Sequence, residues 1–100
     1  MNINFEYKDV AASKRLEAMA SEKLNKLEDK YDFMVGSDVY FKTEKTSSPE
    51  KGMICEIRVN VPGTTIFASS NTGAFESAIA KTVGDVKTQL QKRKDKMQAH

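Results

Sequence analysis

The spacing of apolar residues along this chain changes period in a fixed order, and that order limits the fold more than any other feature. Residues 2–8 alternate strictly: Ile3, Phe5 and Tyr7 point one way, Asn4, Glu6 and Lys8 the other. A period of two marks a half-buried strand. The period then lengthens. Leu16, Ala20, Leu24, Leu27 and Tyr31 recur at three- and four-residue steps, which gives one apolar stripe along a helix. Ser13 is placed to cap that helix, Asp9 is the other candidate, and Asp32 starts the exit. Residues 35–45 return to strand spacing, with Val39, Phe41 and Thr43 on one face. A polar turn follows over residues 46–52. Met53, Cys55, Ile57, Val59 and Val61 then alternate with Ile54, Glu56, Arg58 and Asn60. Pro62-Gly63 suits a tight turn, because proline presets φ and glycine tolerates positive φ. Residues 64–69 make a fourth strand. Asn71 or Thr72 caps a long last helix, whose buried stripe is Phe75, Ile79, Val83, Val86, Leu90 and Met97.

Strand, helix, three strands, helix predicts an α+β fold, β-α-β-β-β-α, in one domain over residues 1–100. The first strand–helix–strand unit is a right-handed crossover between parallel strands, and the next three strands form an antiparallel meander. Both helices then cover one face of a four-stranded mixed sheet. The other face is polar: Asn4, Glu6, Lys42, Glu56, Arg58 and Asn60. Tyr40 and Phe67 fall on that open side, without the paired aromatics of single-strand readers, and both are assigned to packing.

Several function classes drop out. The only histidine is His100 and the only cysteine Cys55, so neither a zinc site nor an internal disulfide is available. With no histidine inside the fold, a nucleophile has no such base to activate it. Cys55 shares its strand face with Ile57 and Val59 and reads as a buried, inert thiol. Glu6, Glu44 and Glu56 could neighbour one another across strands, but carboxylates on an open sheet face are ordinary. No glycine-rich loop opens a helix, so no cofactor or small-molecule substrate is expected. No run approaches the ~20 apolar residues of a membrane span, and Met1-Asn2-Ile3-Asn4 is not a signal segment. A soluble, cytoplasmic protein is expected.

Charge carries the positive signal. The chain's net charge is only +2. From Lys81 to Lys96, the basic residues Lys81, Lys87, Lys92, Arg93, Lys94 and Lys96 face only Asp85 and Asp95, a local balance of +4, which leaves −2 for the remainder. At ~100° per residue, Arg15, Lys23, Lys26 and Lys30 fall in one band beside the apolar stripe of the first helix. Lys81, Lys92 and Lys96 lie opposite the last helix's stripe, with Lys87 and Lys94 flanking it on one side and Arg93 on the other. Helices packed side by side would merge the two bands into one groove wall. Such a wall suits RNA phosphates, and suits recognition by shape and backbone rather than by sequence.

Three segments then resemble one family. EKLNKLEDKYD (residues 22–32), ASSNTGAFESAI (68–79) and QLQKRKDKM (89–97) resemble, in order and at the right spacing, the bacterial hibernation-promoting factors and the related ribosome-associated inhibitor, protein Y. The family is also called the sigma-54 modulation proteins. The resemblance covers the whole chain. It implies a fold similar to double-stranded-RNA-binding domains, and binding without catalysis in the decoding channel of the small ribosomal subunit, where mRNA and tRNA would lie. It implies that Lys23, Lys26, Lys92, Lys94 and Lys96 pair with rRNA phosphates on the whole ribosome. Arg15, Lys30, Lys81, Lys87 and Arg93 join them on geometry alone. Family members often carry a basic residue in place of Asp85 and an arginine in place of Thr88, which shifts the expected contact toward Lys87 and the C-terminal cluster. A chain ending at His100 is expected to lack a C-terminal dimerisation domain and to be a monomer in solution. The competing reading is a protein-interaction module that modulates transcription through a sigma factor or RNA polymerase.

Overall fold

Each predicted period becomes its predicted element in the computed structural model, which describes residues 1–98. The order is β1 (Asn2–Lys8), α1 (Lys14–Lys30), β2 (Gly36–Thr43), β3 (Met53–Val61), β4 (Thr64–Thr72) and α2 (Phe75–Gln98). The strands lie in chain order, β1-β2-β3-β4. β1 pairs parallel to β2 through the α1 crossover, and β2, β3 and β4 form an antiparallel meander. The single histidine, His100, lies outside the described residues.

Register builds the core. Phe5, Val39, Ile57 and Ala68 stand in one row across all four strands, and Tyr7, Phe41 and Cys55 in the next. Phe41 is fully buried. Its ring meets Phe5 at 6.4 Å, Tyr7 at 5.4 Å and Phe75 at 5.5 Å between centroids. The helices close this face from above. All five stripe residues of α1 are buried, as are Ile79, Val83, Val86 and Leu90 of α2.

Hydrogen bonds fix each helix along the sheet. Ser13, in extended conformation, is the N-cap of α1, and its hydroxyl accepts from the Leu16 N–H at 3.2 Å. Asp9 instead takes the left-handed conformation, φ 57°, at the end of β1. The Tyr7 hydroxyl donates to Glu17 at 2.6 Å, and the Met1 ammonium lies 3.4 Å from Glu28, so α1 runs antiparallel to β1. Burial, then the Glu17 hydrogen bond, pushes the Tyr7 phenol above its usual range. α2 runs along β3: the Thr82 hydroxyl donates to the Cys55 carbonyl at 3.2 Å, and Arg93 to the Pro62 carbonyl at 2.9 Å. Pro62-Gly63 is the predicted turn, with Gly63 at φ 83°.

Three expectations are corrected. β4 continues to Thr72, so Asn71 and Thr72 belong to the strand and neither is the residue preceding α2. Asn71 accepts from the Gly52 N–H and donates to Glu44, both at 2.6 Å, which holds the 46–52 turn. Thr72 still accepts from the Ala74 N–H at 3.3 Å, from outside the helix. Met97 is 43% exposed rather than buried. A 24-residue helix reaches ~36 Å, whereas nine-residue strands reach ~30 Å, so α2 runs past the sheet beyond Arg93. β2 is shorter at both ends than expected: Val35 is 65% exposed and Thr43 faces solvent.

Gly84 sits in the middle of α2 with no atom within 4 Å of an added Cβ. Glycine inside a helix costs roughly 0.5–1 kcal/mol relative to alanine. Gly84→Ala should therefore raise the melting temperature by about 4–8 °C per kcal/mol gained, read by thermal circular dichroism.

Candidate nucleic-acid interface

Because both apolar stripes face the sheet, the flanks of α1 and α2 face each other and leave a groove between them. One end is pinned by Arg15 on Glu76 at 2.7 Å. A backbone hydrogen bond, with Arg15 second, holds the Glu76 carboxyl below its usual range. At the other end Tyr31, the C-cap of α1 and 1% exposed, donates its hydroxyl to Gln91 of α2 at 2.7 Å. Two ammonium groups sit near its ring, Lys30 at 5.4 Å from the centroid and Lys94 at 5.7 Å. The negative ring face attracts both, which offsets part of their mutual repulsion. Lys30, Tyr31, Lys87, Thr88, Gln91 and Lys92 line an open groove of about 450 Å³ at this end. Among the described residues, Lys30, Lys87, Lys92 and Lys94 have no ion-pair partner. Lys94 borders a neighbouring cleft with Asp29 and Asp32, whereas Lys30, Lys87 and Lys92 line the groove with no carboxylate among its lining residues, which suits a polyanion.

The ten predicted residues do not all join this groove. Lys30, Lys87 and Lys92 converge there, and Lys94 lies beside them at the Tyr31 ring, bordering the next cleft. Arg15 is occupied by Glu76, and Lys26 is paired with Glu22 at 3.3 Å along α1. Lys23 is half-buried on α1 and Lys81 exposed on α2, and neither is ion-paired among the described residues. Arg93 and Lys96 lie on the opposite flank of α2. With Lys92 and Gln89 they border a second cleft, of about 270 Å³, against Thr64, Thr65 and Ile66 of β4. Lys92 thus borders both. Sequence reasoning placed Tyr31 in the core and missed its second task as anchor for two lysines. It also missed Glu76 as a counter-charge and Gln89, whose amide donates to the Phe67 carbonyl at 2.8 Å. Polar contacts between helices far apart in sequence leave no mark in local spacing.

The open sheet face is polar as expected, with one correction. Phe67 is 48% exposed, so it is not a packing residue, whereas Tyr40 is half-buried. The three candidate carboxylates do not cluster: Glu56 is paired with Lys42 at 2.9 Å and Glu44 accepts from Asn71. Cys55 is fully buried and its thiol is pushed up to about 12, chiefly by burial. Among the described residues no group of three metal-ligating side chains occurs, and no helix is long and apolar enough to cross a membrane.

The sequence matches the family described as sigma 54 modulation protein / S30EA ribosomal protein over residues 3–98. No curated protein matches it. Among solved structures, a ribosomal subunit interface protein from Coxiella burnetii superposes with a TM-score of 0.84 at 24% identity, over 95% of this chain and 99% of that one. The N-terminal domain of Protein Y from Thermus thermophilus superposes with a TM-score of 0.78 at 20% identity, over 92% and 98% of the two chains. At such identities the likeness is one of fold.

Proposed function

The chain belongs to the sigma 54 modulation protein / S30EA ribosomal protein family, and from that premise we propose that it is a ribosome-associated translation inhibitor. It docks on rRNA of the small subunit, in the decoding channel, and keeps mRNA and tRNA out. The family is one of ribosomal and regulatory proteins, and no chemistry is needed: occupancy is the mechanism. The observation that carries the reading is the convergence of Lys30, Lys87 and Lys92 around the Tyr31–Gln91 link, unpaired among the described residues. Each cation placed on a phosphate releases counterions, so binding draws on many phosphates and little base identity.

The groove suits this task mechanically. Its two walls are helices seated on one sheet, so the lysine stems stand on rigid elements. The Arg15–Glu76 and Tyr31–Gln91 contacts hold those walls at both ends. Such a protein acts in the cytoplasm, silencing ribosomes in starved or stressed cells.

Cell-free translation tests the proposal. Added in excess over ribosomes, the purified protein should suppress synthesis from a reporter mRNA. Ribosomes already loaded with mRNA and tRNA should resist it. Equal translation with and without the protein would contradict the reading. The other activity in the family's description, sigma-54 modulation, predicts a partner retained after ribonuclease treatment.

A further inference from the structure

Phe67 is the one large aromatic that is more than a third exposed on the described surface, and its surroundings are polar. It lies in the outer row of the sheet directly opposite Arg58, with Thr65 and Ser69 as neighbours along β4. Arg58 is exposed and, among the described residues, makes neither an ion pair nor a side-chain hydrogen bond. Around the strand edge lies the second cleft, with Lys92, Arg93 and Lys96 one helical turn apart or less. Gln89 spans the two surfaces, because its amide reaches the carbonyl of Phe67 itself.

We propose that the β4 edge is a second RNA-contact surface, which takes an unpaired strand with one base stacked on Phe67 and its phosphates on Lys92 and Lys96. The proposal rests on the ribosome reading for its biological setting but makes a separate contact. Three observations favour single-stranded RNA. The cleft has three cations and no carboxylate among its lining residues, so its charge complements a phosphate backbone. A lone aromatic ring beside a guanidinium is a stacking platform, whereas a protein hot spot needs a packed apolar centre. Strand addition by a partner protein is hindered, because Gln89 occupies the Phe67 carbonyl and Arg93 the Pro62 carbonyl at the adjoining turn. A duplex cannot present a free base face to Phe67. α2 would then stand between two RNA segments, one in the inter-helix groove and one along β4, with Lys92 serving both.

Fluorescence anisotropy with a short labelled oligoadenylate at 50 mM salt is the test. Phe67→Ala should weaken binding by about tenfold with an unchanged salt slope, and Phe67→Trp should restore it. Lys96→Gln should lower the slope by ~0.7. A hairpin duplex should show no dependence on residue 67. Circular dichroism confirms folding, which the exposed position of Phe67 favours. Unchanged oligoadenylate affinity in Phe67→Ala, or no binding by the parent protein, overturns the proposal. Ribosome co-sedimentation run in parallel separates the two readings. A parent protein absent from the ribosomal fraction contradicts the groove reading, while the oligoadenylate result still decides the edge. If Phe67→Ala loses ribosomes but keeps the oligoadenylate, the surface holds protein and the RNA proposal is wrong.

Discussion

Replacing Lys30 and Lys92 together by glutamate is expected to lower ribosome affinity by about two to four orders of magnitude while the fold survives. Hydrogen bonds to charged groups are worth roughly 1.5–3 kcal/mol each, and every 1.4 kcal/mol is about a tenfold change in affinity. Two lysines that contact phosphate therefore account for ~3–6 kcal/mol, and reversed charge adds repulsion. The pair is chosen because one residue comes from each wall of the groove. Both side chains are exposed and neither is ion-paired among the described residues. The folding costs foreseen are an acid near the C-terminus of α1, about 0.3–1 kcal/mol, and the lost Lys30 contact with the Tyr31 ring, about 0.5–1 kcal/mol. Lys26→Glu is the matched control, since Lys26 already faces Glu22 along α1 and should lose far less. Equilibrium binding to purified ribosomes, with circular dichroism on each variant, reads the effect. A folded double variant that binds like the parent would remove the groove from the mechanism.

Phe41→Ala is expected to be the most damaging single change to stability. Phe41 is 0% exposed and touches the rings of Phe5, Tyr7 and Phe75. Large-to-small changes of a buried phenylalanine cost about 3–5 kcal/mol, and each aromatic pair adds ~0.5–1.5 kcal/mol beyond its buried area. Domains of this size have only roughly 5–15 kcal/mol in total. The melting temperature should fall by roughly 15–30 °C, and part of the population should be unfolded at 37 °C. The loss is large because no neighbour can fill the gap: β1 is held in register on β2, and Phe75 begins α2. Thermal unfolding followed by circular dichroism reads it, and a drop of only a few degrees would contradict the packing described.

The elements were legible because burial imposes a period. Leu16, Ala20, Leu24, Leu27 and Tyr31 must share a face to leave water, and every one does. β1 and β3 end where the alternation ends. What failed to show lay where burial stops acting. Met97 keeps the helical spacing of a core residue, yet the sheet beneath it has run out. Asn71 and Thr72 have good capping chemistry, but strand pairing with Ile54 and Met53 claims them first. Phe67 looks like a core residue by type, and only its alternation with Ile66 and Ala68 assigns it to the open face. The groove was legible in part. Helical angle set Lys87 and Arg93 on opposite flanks of the last helix, and they border different clefts, but which of the ten share a groove depended on countercharges and packing. Glu76 removes Arg15 and Glu22 engages Lys26. Helical angle set Arg93 apart but put Lys96 opposite the stripe, whereas it borders the β4 cleft beside Arg93. The Arg15–Glu76 contact crosses between helices, and no local spacing encodes it.

Co-sedimentation of the purified protein with ribosomes on sucrose gradients, at 50 and 200 mM salt, is the most direct measurement. With about six phosphates contacted, affinity should fall roughly a thousandfold across that range. Comigration with small subunits and whole ribosomes at 50 mM, lost at 200 mM, is the expected result. A protein that stays at the top of the gradient at 50 mM, or that comigrates equally at both salts, would contradict electrostatic docking through the inter-helix groove.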